Sequence, residues 1–99
     1  MKRSSYGPSA QAAGVIQFPI LVCWNPMTRC VSIAADMNGR RILCRIPETV
    51  VHAKFNCLDQ EATLTVTANR PAVEAAAKTL IQRKSFASDG MIDIALEDL

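Results

Sequence analysis

Asn38-Gly39 narrows what this chain can become more than any other feature, because it is a two-residue turn set between alternating apolar stretches. Type I′ hairpin turns need positive φ at both central residues, which Asn and Gly tolerate, and a turn of this length fixes the register of the strands that flank it. Counting outward sets Met37 opposite Arg40, Asp36 opposite Arg41, Ala35 opposite Ile42, Ala34 opposite Leu43, Ile33 opposite Cys44, Ser32 opposite Arg45 and Val31 opposite Ile46. Val31, Ile33, Ala35, Ile42, Cys44 and Ile46 then share one face. Ser32, Asp36, Arg41 and Arg45 share the other, with Ala34 and Leu43 between them. A slip of one residue would turn the apolar set to water, so burial enforces the register.

The rest of the chain is arranged around that hairpin. Ninety-nine residues suit one domain, since a chain of about this length buries roughly two thirds of its unfolded surface. Residues 1-14 are Ser, Ala, Gly, Pro and Gln with few apolar anchors, which predicts a flexible tail and leaves 15-99 as a single domain. Val15 to Phe18 is expected as a short N-terminal strand limited by Pro19, and Asn25-Pro26 as the turn that leads into the hairpin. Pro47 ends the second hairpin strand and suits the first position of a helix reaching about Cys57, with Val51, Phe55 and Leu58 at helical spacing. Glu48 complements the dipole at the start of that helix.

Two readings compete for the segment that follows. Ala62-Thr63-Leu64-Thr65-Val66-Thr67 alternates like a strand, while Asp59 could cap a helix running into Pro71 with Leu64 and Ala68 on one face. Beyond it, Val73, Ala76, Ala77, Leu80 and Ile81 form the clearest helical stripe. Burial of Val73, Leu80 and Ile81 is worth about 1.5 to 3 kcal/mol each, against roughly 0.3 kcal/mol for a surface pair such as Glu74 with Lys78. Arg83 and Lys84 complement the C-terminal end of this helix. After a turn at Asp89-Gly90, Met91 to Leu96 alternates so that Ile92, Ile94 and Leu96 face one way, the pattern of a final strand added to the hairpin sheet.

Composition excludes several classes of function. A formal charge of +2 is too small to mark a general polyanion binder. Cys23, Cys30, Cys44 and Cys57 lie far apart with no C-x-x-C, so neither a zinc cluster nor a redox motif is spelled out. Lys2 and Arg3 ahead of Val15 to Trp24 faintly resemble a secretory signal, but Gln17 and Pro19 interrupt the apolar run and Val22 is not the small residue that processing favours. No apolar run reaches the roughly 18 residues of a membrane-spanning helix. The expectation is a cytoplasmic protein whose reduced thiols act as small apolar side chains.

Candidate chemistry is thin. His52 is the single histidine, and the flanking Lys54 and Glu48 complete no nucleophile arrangement, so it reads as a helix-surface residue. Asp93, Glu97 and Asp98 read as a solvated acidic end. Gly14, Gly39 and Gly90 stand alone and Gly7 lies in the tail, which leaves no phosphate cradle. The expectation is therefore no catalytic residue, no cofactor and no metal. Arg41 and Arg45 share the outer hairpin face and Arg40 adds charge at its tip, a set that could contact phosphates. Against this, Asp36 faces Arg41 and no aromatic residue interleaves to stack bases, so a solvated face outweighs a nucleic-acid site. Trp24 could anchor a partner, although a lone tryptophan before a turn more often covers one end of a small core.

Ile16 and Phe18, Trp24, Cys30-Val31, Gly39, Cys44 and Ile46, then Asn69-Arg70, Val73-Glu74, Ala77 and Leu80-Ile81 follow one another in an order and spacing that resembles a bacterial family known as domain of unknown function 1488. The resemblance spans most of the chain beyond the tail. It implies a small α+β fold, and it implies that the helix continues through the stretch Glu61 to Ala68, which favours helix over strand there. Pro71 departs from the family pattern and should kink or restart that helix. No activity, catalytic residue or cofactor comes with the resemblance.

The fold expected is α+β: a small antiparallel sheet of N-terminal strand, hairpin and C-terminal strand, with two to three helices packed on one face. The function expected is a non-enzymatic interaction or regulatory module, bound to an unknown protein partner or to itself through a sheet edge or the exposed strand face. The alternative is weak nucleic-acid binding through Arg40, Arg41 and Arg45.

Overall fold

The hairpin forms around the turn that specifies it. In the computed structural model, which describes residues 15–56 and 61–99, Asn38 and Gly39 take φ of 54° and 78°. They join two eight-residue strands, Cys30–Met37 (β2) and Arg40–Pro47 (β3), in the register expected from Met37↔Arg40 to Val31↔Ile46. All six residues of the apolar face are buried. The tail 1-14, together with Cys57, Leu58 and Asp59, lies outside the described residues.

The N-terminal strand falls later than the sequence suggests. Gln17 makes one isolated bridge to Asp36, while the strand that pairs with β2 is Val22–Asn25 (β1), with Val22↔Ile33 and Asn25↔Cys30. The reason is local: Pro19 has no amide to give a ladder, the chain folds on itself through Leu21 N–H to the Pro19 carbonyl at 2.7 Å, and it rejoins β2 only at Val22. A four-residue loop, 26–29, then closes the first hairpin. The Asn25 side-chain oxygen accepts from the Met27 amide at 2.9 Å, and Arg29 takes the left-handed conformation with φ of 53°.

Pro47 is the last residue of β3 and the N-cap of helix Glu48–Phe55 (α1), one place earlier than expected, because its ψ of 143° keeps it extended. The ambiguous segment is helical, Ala62–Ala68 (α2). Its threonines tolerate the helix because Thr67 and Thr65 hydroxyls donate to the carbonyls four residues back, Thr63 at 2.9 Å and Glu61 at 3.4 Å. Asn69, with φ of −115°, ends α2 and starts Arg70–Gln82 (α3), so Pro71 sits in the first turn of a restarted helix where no amide donor is needed. Val73, Ala76, Ala77, Leu80 and Ile81 are buried as the stripe predicts. Glu74 pairs with Arg70 rather than Lys78.

The final strand is shorter than its alternation implies and runs parallel to its neighbour. Ile92–Asp93 (β4) joins β3 at Cys44 and Arg45, giving the order β1-β2-β3-β4. Ile92 and Ile94 are buried, but Leu96 turns to solvent because Asp98 accepts from the Ala95 amide at 2.8 Å and caps a 3-10 turn, Leu96–Asp98. The result is an α+β fold whose sheet is antiparallel across three strands and mixed at the fourth. One core joins the inner sheet residues to Val51, Ala62, Val66, Val73 and Leu80 of the three helices.

Candidate interaction surface

Since the helices pack against the face that carries Val31, Ile33 and Cys44, the opposite face of the sheet is where Arg41 and Arg45 stand, while Arg40, the partner of Met37, lies at the tip on the other face. Arg41 grips Asp36 through two bonds, Nε to Oδ1 at 2.9 Å and Nη2 to Oδ2 at 3.1 Å. That bond holds the Asp36 carboxyl below its ordinary value and raises the Arg41 guanidinium. Arg45 reaches Asp93 at 2.7 Å and Asp89 at 2.8 Å, and both bonds raise it, Asp93 more than Asp89. Asp89 is lowered first by Arg45 and then by the Met91 amide. Arg40, exposed at the tip, makes no ion pair among the described residues. The three arginines are thus not one patch: two are neutralised in place, and the acidic segment read as a solvated end supplies one of the partners.

Between the two ion-paired rows lies an apolar row. Ala34 and Leu43 are cross-strand partners, with Leu43 37% exposed and Ala34 buried although it points away from the helices. A shallow hollow of about 340 Å³ opens there, lined by Leu21, Cys23, Ser32, Ala34, Arg41 and Leu43. Cys23 is exposed, whereas burial pushes the Cys44 thiol up to about 12.

Trp24 pairs with Val31 and so lies on the helix side of the sheet, yet it stays 37% exposed at the margin. The Arg29 guanidinium stands 5.7 Å from its ring centroid and also reaches Glu48 at 2.7 Å, which holds the indole against the start of α1. A cleft of about 280 Å³ beside it is lined by Glu48, Glu61, Ala62 and Thr63. His52 lies half-buried on α1, away from the sheet face. Among the described residues no group of His, Cys, Asp and Glu could hold a metal ion.

Two features escaped the residue-by-residue reading. Arg70, only 14% exposed, spends its guanidinium on the folded-back N-terminal segment, donating to the Pro19 carbonyl at 2.6 Å and the Leu21 carbonyl at 3.1 Å while Glu74 holds its Nε at 2.7 Å. No spacing in the sequence announces bonds between positions fifty apart. The second was visible: no Asp, Glu, Lys or Arg occurs from Ser4 to Thr28. In the described part of that stretch Val15, Ile20, Leu21, Trp24 and Met27 are exposed.

These features define a small α+β fold with one sheet face that no described helix covers and an uncharged edge. Its sequence places it further: the profile of the DUF1488 family, proteins of unknown function, matches residues 16–94, and the chain belongs to that family. It is similar in structure to a DUF1488 protein of unknown function from Shewanella loihica PV-4, with a TM-score of 0.71 and 21% identity over 80% of this chain and 90% of that one. At that identity the likeness establishes the fold. No curated protein matches the chain. No helix among the described residues is long and apolar enough to cross a membrane.

Proposed function

We propose that this chain is a small, non-enzymatic interaction or regulatory module of the bacterial cytoplasm that associates with a second copy of itself through its uncharged N-terminal edge. The observation that carries this reading is the exposure of Ile20 at 94% and Met27 at 90%, beside Leu21 and Trp24, in a stretch with no charge. Exposed apolar side chains gathered on one uncharged strand and its flanks suit a protein contact better than open water. A second copy suits it because a two-fold contact is self-complementary, and an uncharged edge meets its own copy with no like-charge cost.

The non-enzymatic part draws support from how the polar groups are used. Asp36, Asp89 and Asp93 are taken by arginines, Asp98 caps a turn, and the His52 side chain makes no hydrogen bond among the described residues. A phosphate would have to displace Asp36 from Arg41, or Asp89 and Asp93 from Arg45, which weighs against the nucleic-acid alternative. The cytoplasmic part rests on thiols that carry no pairing motif.

Light scattering over a dilution series tests the reading. A mass that doubles with concentration is expected, with Ile20→Asp shifting the midpoint upward. A strict monomer at the highest soluble concentration would remove self-association.

A further inference from the structure

We propose that the second copy adds antiparallel to β1 with Cys23 on the two-fold axis, joining the two sheets into one of eight strands. This rests on the self-association reading and fixes its geometry. The phase of the backbone supplies the argument. Gln17 and Asp36 exchange both their hydrogen bonds, at 2.9 and 2.7 Å, so the even-numbered residues of β2 turn their backbone groups toward the β1 side. Cys23 and Asn25 stand opposite Ser32 and Cys30 and are therefore the residues of β1 bonded to β2. Val22 and Trp24 turn their N–H and C=O groups outward.

Only some registers use that pattern. Antiparallel partners share a face and alternate between bonded and non-bonded pairs, so the axis must pass through a residue of β1. Centred on Cys23, each Val22 meets the other copy's Trp24 and the two pairs exchange four backbone bonds. Centred on Trp24, Val22 would meet Pro26, which has no N–H to give. The Cys23 centre also respects the neighbouring closure, since Arg70 already occupies the carbonyls of Pro19 and Leu21. No charged residue lies between Ser4 and Thr28 to oppose its own copy. At the far edge of the sheet, self-pairing would set Arg40 and Arg41 near their own copies.

In this arrangement the two exposed Cys23 side chains face each other on the uncovered side of the sheet. Their Cα atoms stand about 4.5 Å apart, the spacing of a non-bonded antiparallel pair and within the span a disulfide accepts.

Oxidation of the full chain with copper phenanthroline, followed by a non-reducing gel, reads this contact. A cross-linked dimer is expected, kept in Cys30→Ser and lost in Cys23→Ser. Light scattering on reduced protein completes the test. Cys23→Ser should remain dimeric, whereas Cys23→Lys, which sets two ammonium groups on the axis at a solvent-exposed position, should weaken the dimer at least about tenfold with an unchanged circular dichroism spectrum. A wild-type dimer that gives no Cys23 cross-link and tolerates Cys23→Lys would overturn this pairing and leave self-association standing elsewhere on the surface. A monomer throughout would end both.

Discussion

The two edges of the sheet are closed by different means. On the C-terminal side, β4 is two residues long, Arg45 ties it to Asp89 and Asp93, and Arg40 and Arg41 flank the rest of β3. Shortness and charge are the common ways to stop an edge from recruiting another strand. On the N-terminal side, Arg70 closes the segment at Pro19 and Leu21 from behind, and among the described residues no strand pairs with the outer side of β1. β1 has neither charge nor proline between Val22 and Asn25. Among the described residues the sheet thus carries one edge built to refuse pairing and one, at β1, that lacks the refusal.

The largest effect should come from the clamp. Arg70→Ala strips a part-buried carbonyl at Pro19, an exposed one at Leu21 and the Glu74 carboxylate of their donor, and should cost about 2 kcal/mol in urea unfolding. Arg70→Lys should recover less than half, since one ammonium cannot span three acceptors. If Arg70→Ala unfolds like the wild type, the N-terminal edge is not held as described. Second, Arg45→Ala should loosen β4 and speed hydrogen exchange at the Ile94 amide, which donates to the Arg45 carbonyl at 2.9 Å, by about five- to tenfold. Amides of β1 should not respond.

Third, thiol labelling at mild pH should separate the cysteines: Cys23 reacts in the folded protein, and Cys44, whose thiol is held near 12, reacts only after unfolding. Equal labelling rates would mean that the inner face of β3 is open. The smallest effect is the acid response. Asp36 and Asp89 bind protons less readily when folded than when unfolded, so their contribution is complete above the ordinary aspartate value of 3.8 and fades as pH falls through the lowered folded values. Asp36→Asn together with Asp89→Asn should flatten the fall in thermal midpoint below that pH. An unaltered slope would show that these exposed pairs contribute nothing measurable.

What the sequence made legible follows the range of the forces involved. The hairpin register could be read to the residue because the Asn38-Gly39 turn and the alternation around it are local and agree with each other. The stripe from Val73 to Ile81 was legible for the same reason. β1 was misplaced because a fold-back at Pro19 breaks the alternation between Phe18 and Val22, and strand patterns do not mark such interruptions. The parallel pairing of β4 depends on where α3 delivers the chain, and no residue near Ile92 encodes it. For the surface, Asp36 against Arg41 came directly from the register, whereas Arg45 with Asp89 and Asp93 needed contacts 44 and 48 positions apart.

Arg70 also bears on the order in which the molecule can assemble. The ribosome delivers Pro19 and Leu21 about fifty residues before the side chain that captures their carbonyls, so the fold-back at Pro19 is locked only after the central hairpin has been made. Until the third helix begins to emerge those two carbonyls can only be hydrated, although the Gln17–Asp36 bridge and the β1–β2 pairing need nothing made later than β2.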